Sequence, residues 1–340
     1  MPTRSFIAGG AGFIGSHLAR ELLRRPDHEV VVFDNFVSGS ISHLDGLLED
    51  SRLTLVEADL GNLDAVIKAM QCCDHAYLFA ANPDIAAAAH DPSIDFWQGT
   101  YLTQNVMEAT RINGVSRVTY ASGSGVYGDR GEEEVDESFG PLVPVSTYGA
   151  SKLGSEAILA AYAHMFGIHA AIFRFANVVG PKQTHGVTYD FVRRLLDDQS
   201  VLHILGDGEQ SKSYIHVSDV VLAMLIVTDR GWNGIEVFNV GTGDYVTVAE
   251  IADLVVKRMG LTEVRFEYAG GTRGWKGDVP IVRFKSEKLA FLGWRCGHSS
   301  VEALLDSIDA NISEAALAVR DGRRQPEPAV DSERHYANRR

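Results

Sequence analysis

The chain has 340 residues, 45% of them hydrophobic and 22% charged, and its formal net charge is -14. This length and hydrophobic content are enough for one large domain or two fused domains with a buried core. The negative charge repels nucleic acid and anionic membrane surfaces at long range, so we expect neither as a partner.

Cysteine usage and hydropathy predict where the protein works. Cys72, Cys73 and Cys296 show no disulfide framework, C-x-x-C pair or zinc spacing. No apolar run approaches about 18 residues, and the first predicted strand begins too early to leave room for a signal peptide. The 12 histidines include no H-E-x-x-H pair, so no metal is predicted. We therefore expect a cytoplasmic protein with no membrane span.

Apolar runs alternate with amphipathic stretches through the first half of the chain. The predicted strands cover residues 5–8, 29–33, 53–56, 75–79, 117–121 and 169–173. The predicted helices cover residues 14–25, 63–70, 95–113 and 147–166. This alternation predicts an α/β fold with a doubly wound parallel sheet of the Rossmann type over residues 1–175.

The regular alternation of predicted strands and helices ends after residue 175. Predicted strands at 201–205 and 213–217 mix with predicted helices at 246–259 and 299–318. We expect a smaller α/β region over residues 176–320 that binds the substrate, and the pattern leaves open whether parts of it rejoin the first body. Residues 321–340 are polar and lack periodicity, which predicts a flexible tail.

A glycine-rich turn follows the first predicted strand and opens the first predicted helix. Gly10, Gly12 and Gly15 fit G-x-G-x-x-G, and Gly9 adds G-x-x-G-x-x-G. In this context the backbone turns tightly and approaches a pyrophosphate at the helix N-terminus. The predicted dinucleotide contacts in this turn are Gly9, Gly12, Phe13, Ile14 and Gly15.

Asp34 closes the second predicted strand, 19 residues beyond Gly15. A carboxylate at this place accepts hydrogen bonds from the ribose hydroxyls, whereas a 2'-phosphate would meet a like charge. The sequence therefore predicts NAD rather than NADP as the cofactor.

Tyr148 and Lys152 share one face of a predicted helix, because four residues separate them. A phenol titrates near pKa ~10 and is a poor base at neutral pH. A neighbouring ammonium and an oxidised nicotinamide both favour the phenolate. Exposed helix faces also carry such pairs, but the dinucleotide fingerprint favours catalysis by Tyr148 and Lys152.

Several motifs recur in the order found in one known family. They are the glycine-rich turn, Asp34-Asn35, Ala58-Asp59-Leu60, Phe79-Ala80-Ala81, Val126-Tyr127-Gly128, Tyr148 with Lys152, Arg174 with Asn177, and residues 206–219. From about residue 5 to residue 294 the chain resembles the extended short-chain dehydrogenases/reductases. It is most similar to their nucleotide-sugar 4-epimerase branch, typified by UDP-glucose 4-epimerase.

The resemblance implies an isomerase that uses NAD to epimerise a nucleotide-diphosphate sugar at C4, through a transient 4-keto sugar. Tyr148 would move the proton, and Lys152 would also bind the nicotinamide ribose. Asp59 could instead be a strand-ending cap, and Phe79 could be plain core. The cofactor contacts implied in this way are Asn35, Ser38, Gly39, Asp59, Leu60, Phe79, Ala80 and Ala81.

The resemblance also implies a substrate site for a UDP-sugar. An acidic protein needs local cations to bind a diphosphate, although Lys and Arg are solvated surface charges by default. The implied contacts are Asn177, Lys212 and Arg273 at the diphosphate, His185 and Val187 at the sugar, and Asp278 at the nucleoside ribose. Helices 95–113 and 147–166 resemble those that pair in family homodimers, but they could equally only cover the sheet.

The chain departs from its relatives at Gly123, where the family carries a catalytic Ser or Thr. Ser122 and Ser124 flank the gap and are candidates for a substitute hydroxyl, or they satisfy loop backbone groups. Ser124 and Gly125 also stand where the dehydratase and decarboxylase relatives carry acidic residues. The alternatives to a 4-epimerase are another nucleotide-sugar oxidoreductase acting through a keto sugar, and a non-catalytic NAD-binding regulator.

Overall fold

The computed structural model describes residues 2–82 and 88–320, which form an α/β fold. Its strands are β1 (Thr3–Ala8), β2 (His28–Asp34), β3 (Leu53–Glu57), β4 (His75–Leu78), β5 (Arg117–Gly123), β6 (Glu134–Val135), β7 (His169–Phe175), β8 (Asn177–Val179), β9 (Val201–Ile204), β10 (Ser211–Lys212), β11 (Tyr214–His216), β12 (Ile235–Val240), β13 (Val246–Thr247), β14 (Arg265–Tyr268) and β15 (Arg283–Phe284). Its α-helices are α1 (Phe13–Leu23), α2 (Leu63–Ala69), α3 (Tyr101–Asn113), α4 (Thr147–Phe166), α5 (Val187–Asp197), α6 (Val217–Arg230), α7 (Val248–Arg258), α8 (Glu287–Phe291) and α9 (Ser300–Arg320).

A seven-stranded sheet lies at the centre, in the order β12-β7-β5-β4-β1-β2-β3. All of its neighbouring strands run parallel. The strand order proceeds outward from β1 in both directions, which opens a crevice at the carboxyl ends of β1 and β4. The predicted doubly wound parallel sheet is confirmed.

One strand of the sheet was not predicted. The Ile235–Val240 strand pairs with β7 in continuous register, from Ile235 opposite Ala170 to Val240 opposite Phe175. It lies at the sheet edge, where polar residues such as Glu236 are tolerated, so it lacks the continuous apolar run of a central strand. Part of the chain after residue 175 therefore completes the first body.

Another difference lies in the helix predicted over residues 95–113. The structure forms a π-helical turn, Phe96–Thr100, which leads into α3. The backbone of this turn approaches α4 closely, because a Cβ on Gly99 would collide with the hydroxyl of Ser151. The helix predicted over residues 95–113 is present, but its first turn is π-helical.

The sheet is buried on both faces. Along β1, Ile7 packs with Leu18 and Leu22 of α1, whereas Phe6 packs on the opposite face with Met107 of α3. This alternation follows from the two-residue period of a strand. A third apolar cluster, which joins β9 to α5, α7 and α9, forms the core of the smaller region.

The last described helix, α9, corresponds to the helix predicted over 299–318. The tail predicted over 321–340 lies outside the described residues. Within the part of the chain that the structure describes, no helix combines the length and apolar character needed to cross a bilayer.

Candidate functional site

A cavity of about 880 Å³ opens at the carboxyl ends of the central strands. Its walls come from the segments that follow β1 to β5 and β7, and from the smaller region. Of the residues predicted to form the site, all but Gly39 and Arg273 line this cavity. The sequence motifs therefore converge on one site.

In the glycine-rich turn, the backbone lies in close contact with the start of α1 and with the segment after β4. Gly9 has φ +78°, a conformation that favours glycine, and a Cβ there would lie 2.9 Å from the backbone nitrogen of Ala80. A Cβ on Gly15 would collide with the carbonyl oxygen of Gly9. No side chain caps the N-terminus of α1, whose N-cap is Gly12. The first N–H groups of α1 are therefore left to bind a pyrophosphate, so the turn fits a dinucleotide.

Replacing Gly15 with Ala is expected to weaken NAD binding by about 10-fold or more. The added methyl group would push α1 away from the turn, and misplaced N–H groups lose their hydrogen bonds to the pyrophosphate. Calorimetric titration with NAD would measure the change. Gly154→Ala in α4 is the control, because its Cβ would make only ordinary contacts at 3.6 Å with Thr100. Equal NAD affinity in the Gly15 variant and the wild type would contradict the prediction.

Asp34 is almost completely buried at the end of β2. Its two carboxylate oxygens accept hydrogen bonds from the backbone N–H groups of Ala11 and Phe36, each at 2.9 Å. A Cβ on Gly39 would lie 2.8 Å from the same carboxylate. Gly39 thus packs against Asp34, next to Ser38, which lines the cavity, and its predicted role as a cofactor contact stays a prediction.

Asn35 and Asp59 lie together at the exposed end of the site. The Asn35 amide donates to Asp59 Oδ2 at 2.8 Å, and Asp59 Oδ1 accepts the Gly61 N–H at 2.7 Å. Asp59 therefore shapes the turn after β3 and also lines the cavity. Leu60 is buried next to it. The two alternatives for Asp59, a strand-ending cap and a cofactor contact, are therefore compatible.

The opposite wall of the cofactor cleft comes from the segment after β4. Phe79 packs against the apolar cluster on one face of the sheet and also lines the cavity, as do Ala80 and Ala81. Ser38 lines the cavity from the segment after β2. These small and apolar side chains leave room for a flat ligand between the two walls.

Tyr148 and Lys152 lie on α4 and face the cavity, with Lys152 Nζ 5.5 Å from the centre of the Tyr148 ring. Ser146 caps α4 by accepting the Gly149 N–H at 3.1 Å, which fixes the helix start next to Tyr148. The ammonium of Lys152 donates to the carbonyl oxygen of Ala121 at 2.8 Å. The predicted pair is thus anchored to the end of β5.

The protein itself raises, rather than lowers, the pKa of the Tyr148 phenol. Burial and the negative charge of Asp95 raise it to about 12. Burial lowers the pKa of Lys152 to about 8, while Glu156 and Asp95 oppose this change. The two groups expected to favour the phenolate, the Lys152 ammonium and an oxidised nicotinamide, would therefore act against burial and the charge of Asp95.

The two serines beside Gly123 have different surroundings. Ser122 is buried at the end of β5, and its hydroxyl donates to Glu156 Oε1 at 2.6 Å. Neighbouring strand residues point to opposite sides, so Ser122 cannot place its hydroxyl where a side chain at position 123 would project. This corrects its candidacy as a catalytic hydroxyl. Ser124 lines the cavity at the start of a 3-10 turn, and its hydroxyl forms no hydrogen bond with another described residue.

Glu156 connects the catalytic helix to a buried polar network that the sequence did not reveal. Its carboxylate accepts two hydrogen bonds from Arg174, at 2.7 and 3.0 Å, and both side chains are at most 7% exposed. Arg174 also donates to the hydroxyl of Tyr127, which donates to Asn239 at 2.7 Å. This network ties α4 to β7 and β12 behind the site.

Replacing Glu156 with Gln is expected to lower the free energy of unfolding by about 3 kcal/mol, because it leaves the guanidinium of Arg174 buried without a counter-charge. Urea unfolding would measure the loss. Glu21→Gln is the matched control, since the pair between Glu21 and Arg24 is exposed and such pairs contribute little. If both variants unfold at the same urea concentration as the wild type, the buried pair contributes no net stability.

Most of the predicted substrate contacts line the part of the cavity that β8, β10 and the start of α5 form. Asn177 in β8 pairs with Tyr214 in β11, two residues after Lys212. Lys212 Nζ lies 2.6 Å from Asp278 Oδ1, so the predicted phosphate cation and the predicted ribose acceptor form an ion pair. His185 and Val187 line the cavity at the start of α5. A diphosphate would compete with Asp278 for the Lys212 ammonium.

Arg273 is the exception among the predicted substrate contacts. Its guanidinium pairs with Asp129 at 2.5 Å and donates to the backbone oxygen of Asp278, and it does not line the cavity. Its predicted contact with the diphosphate requires the guanidinium to leave Asp129 and stays a prediction. Arg194 of α5 lines the cavity instead, a cation that the sequence motifs did not indicate.

Among the described residues, no group of three or more His, Cys, Asp or Glu side chains converges to hold a metal ion. Cys72, Cys73 and Cys296 are free.

A sequence profile of the NAD dependent epimerase/dehydratase family matches residues 5–241. The chain belongs to this family. The resemblance to extended short-chain dehydrogenases/reductases is thus confirmed, and so is NAD as the cofactor of this nucleotide-sugar enzyme.

Three relatives show the range of reactions within the family. The UDP-glucose 4-epimerase of Mycolicibacterium smegmatis is 30% identical over 85% of this chain and 98% of its own length. The UDP-glucuronic acid 4-epimerase of Bacillus cereus, solved with UDP-glucuronic acid and NAD, is 25% identical, with a TM-score of 0.84 over 92% of this chain and all of its own. A dTDP-glucose 4,6-dehydratase of Streptomyces venezuelae, solved with NAD, is 28% identical, with a TM-score of 0.85 over 93% of this chain and 98% of its own.

Proposed function

We propose that this family member is a nucleotide-sugar 4-epimerase that acts on a UDP-hexose or UDP-hexuronate. One observation carries the choice of reaction. The described lining residues at the end of β5 and at the start of α4 include no carboxylate; they are Ala121, Ser122, Gly123, Ser124, Gly125, Ser146, Tyr148 and Lys152. A dehydratase needs an acid to expel water, whereas an epimerase needs only one group that moves a proton in both directions.

Tyr148 supplies that group. Its phenol removes the proton from the C4 hydroxyl and later returns it, while Lys152 holds a positive charge beside the phenolate. The glycine turn, Asp34 and Lys152 would hold NAD, which supplies a hydride acceptor at C4 when bound. The Lys152 side chain is buried, whereas the Tyr148 phenol is partly exposed to the cavity, where a substrate hydroxyl can reach it.

The proposed substrate orientation follows from strand register. Gly123 of β5 lies opposite Phe175 of β7, and Asn177 follows two residues later opposite Tyr214. Lys212 lies two residues before Tyr214 and, like Asn177, lines the cavity. The sugar would therefore lie at Tyr148, and the diphosphate at Asn177 and Lys212, where an ammonium can offset its charge.

The test uses NAD-loaded protein with UDP-glucose, UDP-glucuronate and other nucleotide sugars. A C4 epimer detected by NMR, without net NADH, is the expected result. A product that has lost water would show a dehydratase instead. Stoichiometric NADH would show net oxidation. Tight NAD binding without any product would show a non-catalytic NAD-binding regulator, the alternative based on Gly123 in place of the family's catalytic Ser or Thr.

We also propose that the protein is a cytoplasmic homodimer that pairs through the surface of α3 and α4. Trp97, Met165 and Phe166 on this surface are between 46% and 71% exposed. Such a group of exposed apolar side chains is typical of a protein interface. Light scattering of the purified protein should give the mass of two chains.

A further inference from the structure

Asp95 is a buried carboxylate beside the catalytic pair. Only 2% of the residue is exposed, and it does not line the cavity. It lies at the start of the π-helical turn before α3, which packs against α4. A charge buried this deeply is costly unless partners hold it.

The partners of Asp95 come from both sides of the cofactor cleft. Asn82, which lines the cavity after β4, donates its amide to Asp95 Oδ1 at 2.9 Å. Thr147, which immediately precedes Tyr148, donates its hydroxyl to Oδ2 at 2.7 Å. Ser151, which precedes Lys152, donates to the backbone oxygen of Asp95 at 2.7 Å. One residue thus joins the cofactor wall to the turn of α4 that carries both catalytic side chains.

The charge of Asp95 acts on the same two side chains. Its negative charge is the second cause, after burial, of the raised pKa of Tyr148. Together with the charge of Glu156, it also opposes the lowering of the pKa of Lys152 by burial. The other titratable groups facing the pair are Tyr120, whose ring lies 5.1 Å from Lys152 Nζ, and Glu156. The anion therefore favours the protonated form of both Tyr148 and Lys152.

We propose that Asp95 is a positioning residue that holds Asn82 and Thr147 across the cleft and whose charge sets the pH range in which Tyr148 and Lys152 work. This inference rests on the proposed acid–base function of Tyr148. It assigns a role to a residue that touches neither substrate nor cofactor.

Asp95→Asn is the decisive variant, because it removes the charge and keeps both hydrogen bonds. The Asn carbonyl accepts from Asn82, and its amide donates to the hydroxyl of Thr147. Thr147→Val is the matched control, because it removes one hydrogen bond and keeps the charge. Titration of tyrosinate absorbance in the NAD-loaded protein, corrected with Tyr148→Phe, reports the phenol without any turnover.

The Asp95→Asn variant should form the Tyr148 phenolate at a pH lower by about one unit, as expected when a neighbouring like charge is removed. Both limbs of its pH–rate profile should move to lower pH, since the pKa of Lys152 falls as well. Thr147→Val should lower the rate and leave the profile in place. Asp95→Ser also removes the charge, and it replaces Asp95→Asn in the titration if the Asn variant does not bind NAD.

An unmoved phenolate titration in the neutral variants would overturn the proposal and leave Asp95 a structural residue. A titration that moves in a protein without epimerase activity would instead overturn only the proposed reaction. The two failures are therefore distinguishable.

Discussion

Replacing Tyr148 with Phe is expected to lower turnover of the nucleotide sugar by roughly 10²- to 10⁴-fold, the contribution of a positioned general acid–base group. The structure offers no replacement nearby, because Lys152 donates to Ala121 and the described lining of this end holds no carboxylate. Phenylalanine keeps the ring that faces Lys152 at 5.5 Å, so NAD binding should change little. Steady-state rates and NAD titration of the same preparation would measure both effects.

Tyr162→Phe is the matched control for this experiment. Tyr162 lies on the same helix, and its hydroxyl interacts with Gln104 and Glu108, outside the cavity. Its loss should leave turnover within about 2-fold, as for an exposed hydrogen bond that water can replace. If Tyr148→Phe retained the wild-type rate, another group would move the proton and the proposed mechanism would be wrong.

Features that depend on neighbours along the chain could be predicted from the sequence. In the first turn, Gly9 has a positive φ, and Gly12 and Gly15 contact the backbone of Gly9, so their spacing between a predicted strand and a predicted helix identifies the site. The bounds of α4 were predicted because Ser146 caps its start and Gly167, with φ +72°, ends it. In both places local geometry selects the residue type.

Features that depend on distant segments could not be predicted in this way. Glu156 shares a helix face with Tyr148 and Lys152, a spacing that could have drawn attention to it. Its partners Ser122 and Arg174, however, come from two different strands. Asp95 likewise became significant only once the fold had placed its segment against α4.

Two of the predicted site residues, Arg273 and Ser122, have partners that the sequence did not indicate. The motif order placed Arg273 at a phosphate, but no sequence pattern indicates that Asp129, 144 residues away, pairs with its guanidinium. Ser122 was a candidate because it adjoins Gly123, although adjacent strand residues face opposite sides. Proximity along the chain was a poor guide to side-chain direction at both positions.

Restoring a hydroxyl by Gly123→Ser is expected to raise turnover by roughly 10²-fold, the lower end of the effect of one donor to a developing oxyanion. The backbone accepts a side chain, since φ is -157°, and the nearest atom to an added Cβ would be the Phe175 oxygen at 4.0 Å. Position 123 lies at the carboxyl end of β5 and lines the same cavity as Tyr148. Rates at saturating substrate and pH 7 would measure the gain.

Gly123→Ala separates the hydroxyl from the bulk of the side chain. The Ala variant adds the same Cβ without a donor, so it should leave turnover within about 2-fold of the wild type if the space is as open as the 4.0 Å distance indicates. An unchanged rate in Gly123→Ser would contradict the prediction. Ser124→Ala would then become informative, because a substitute donor at Ser124 should reveal itself as a loss of roughly 10²-fold when it is removed. Ser122 is not expected to fill that role, since Glu156 holds its proton behind the strand.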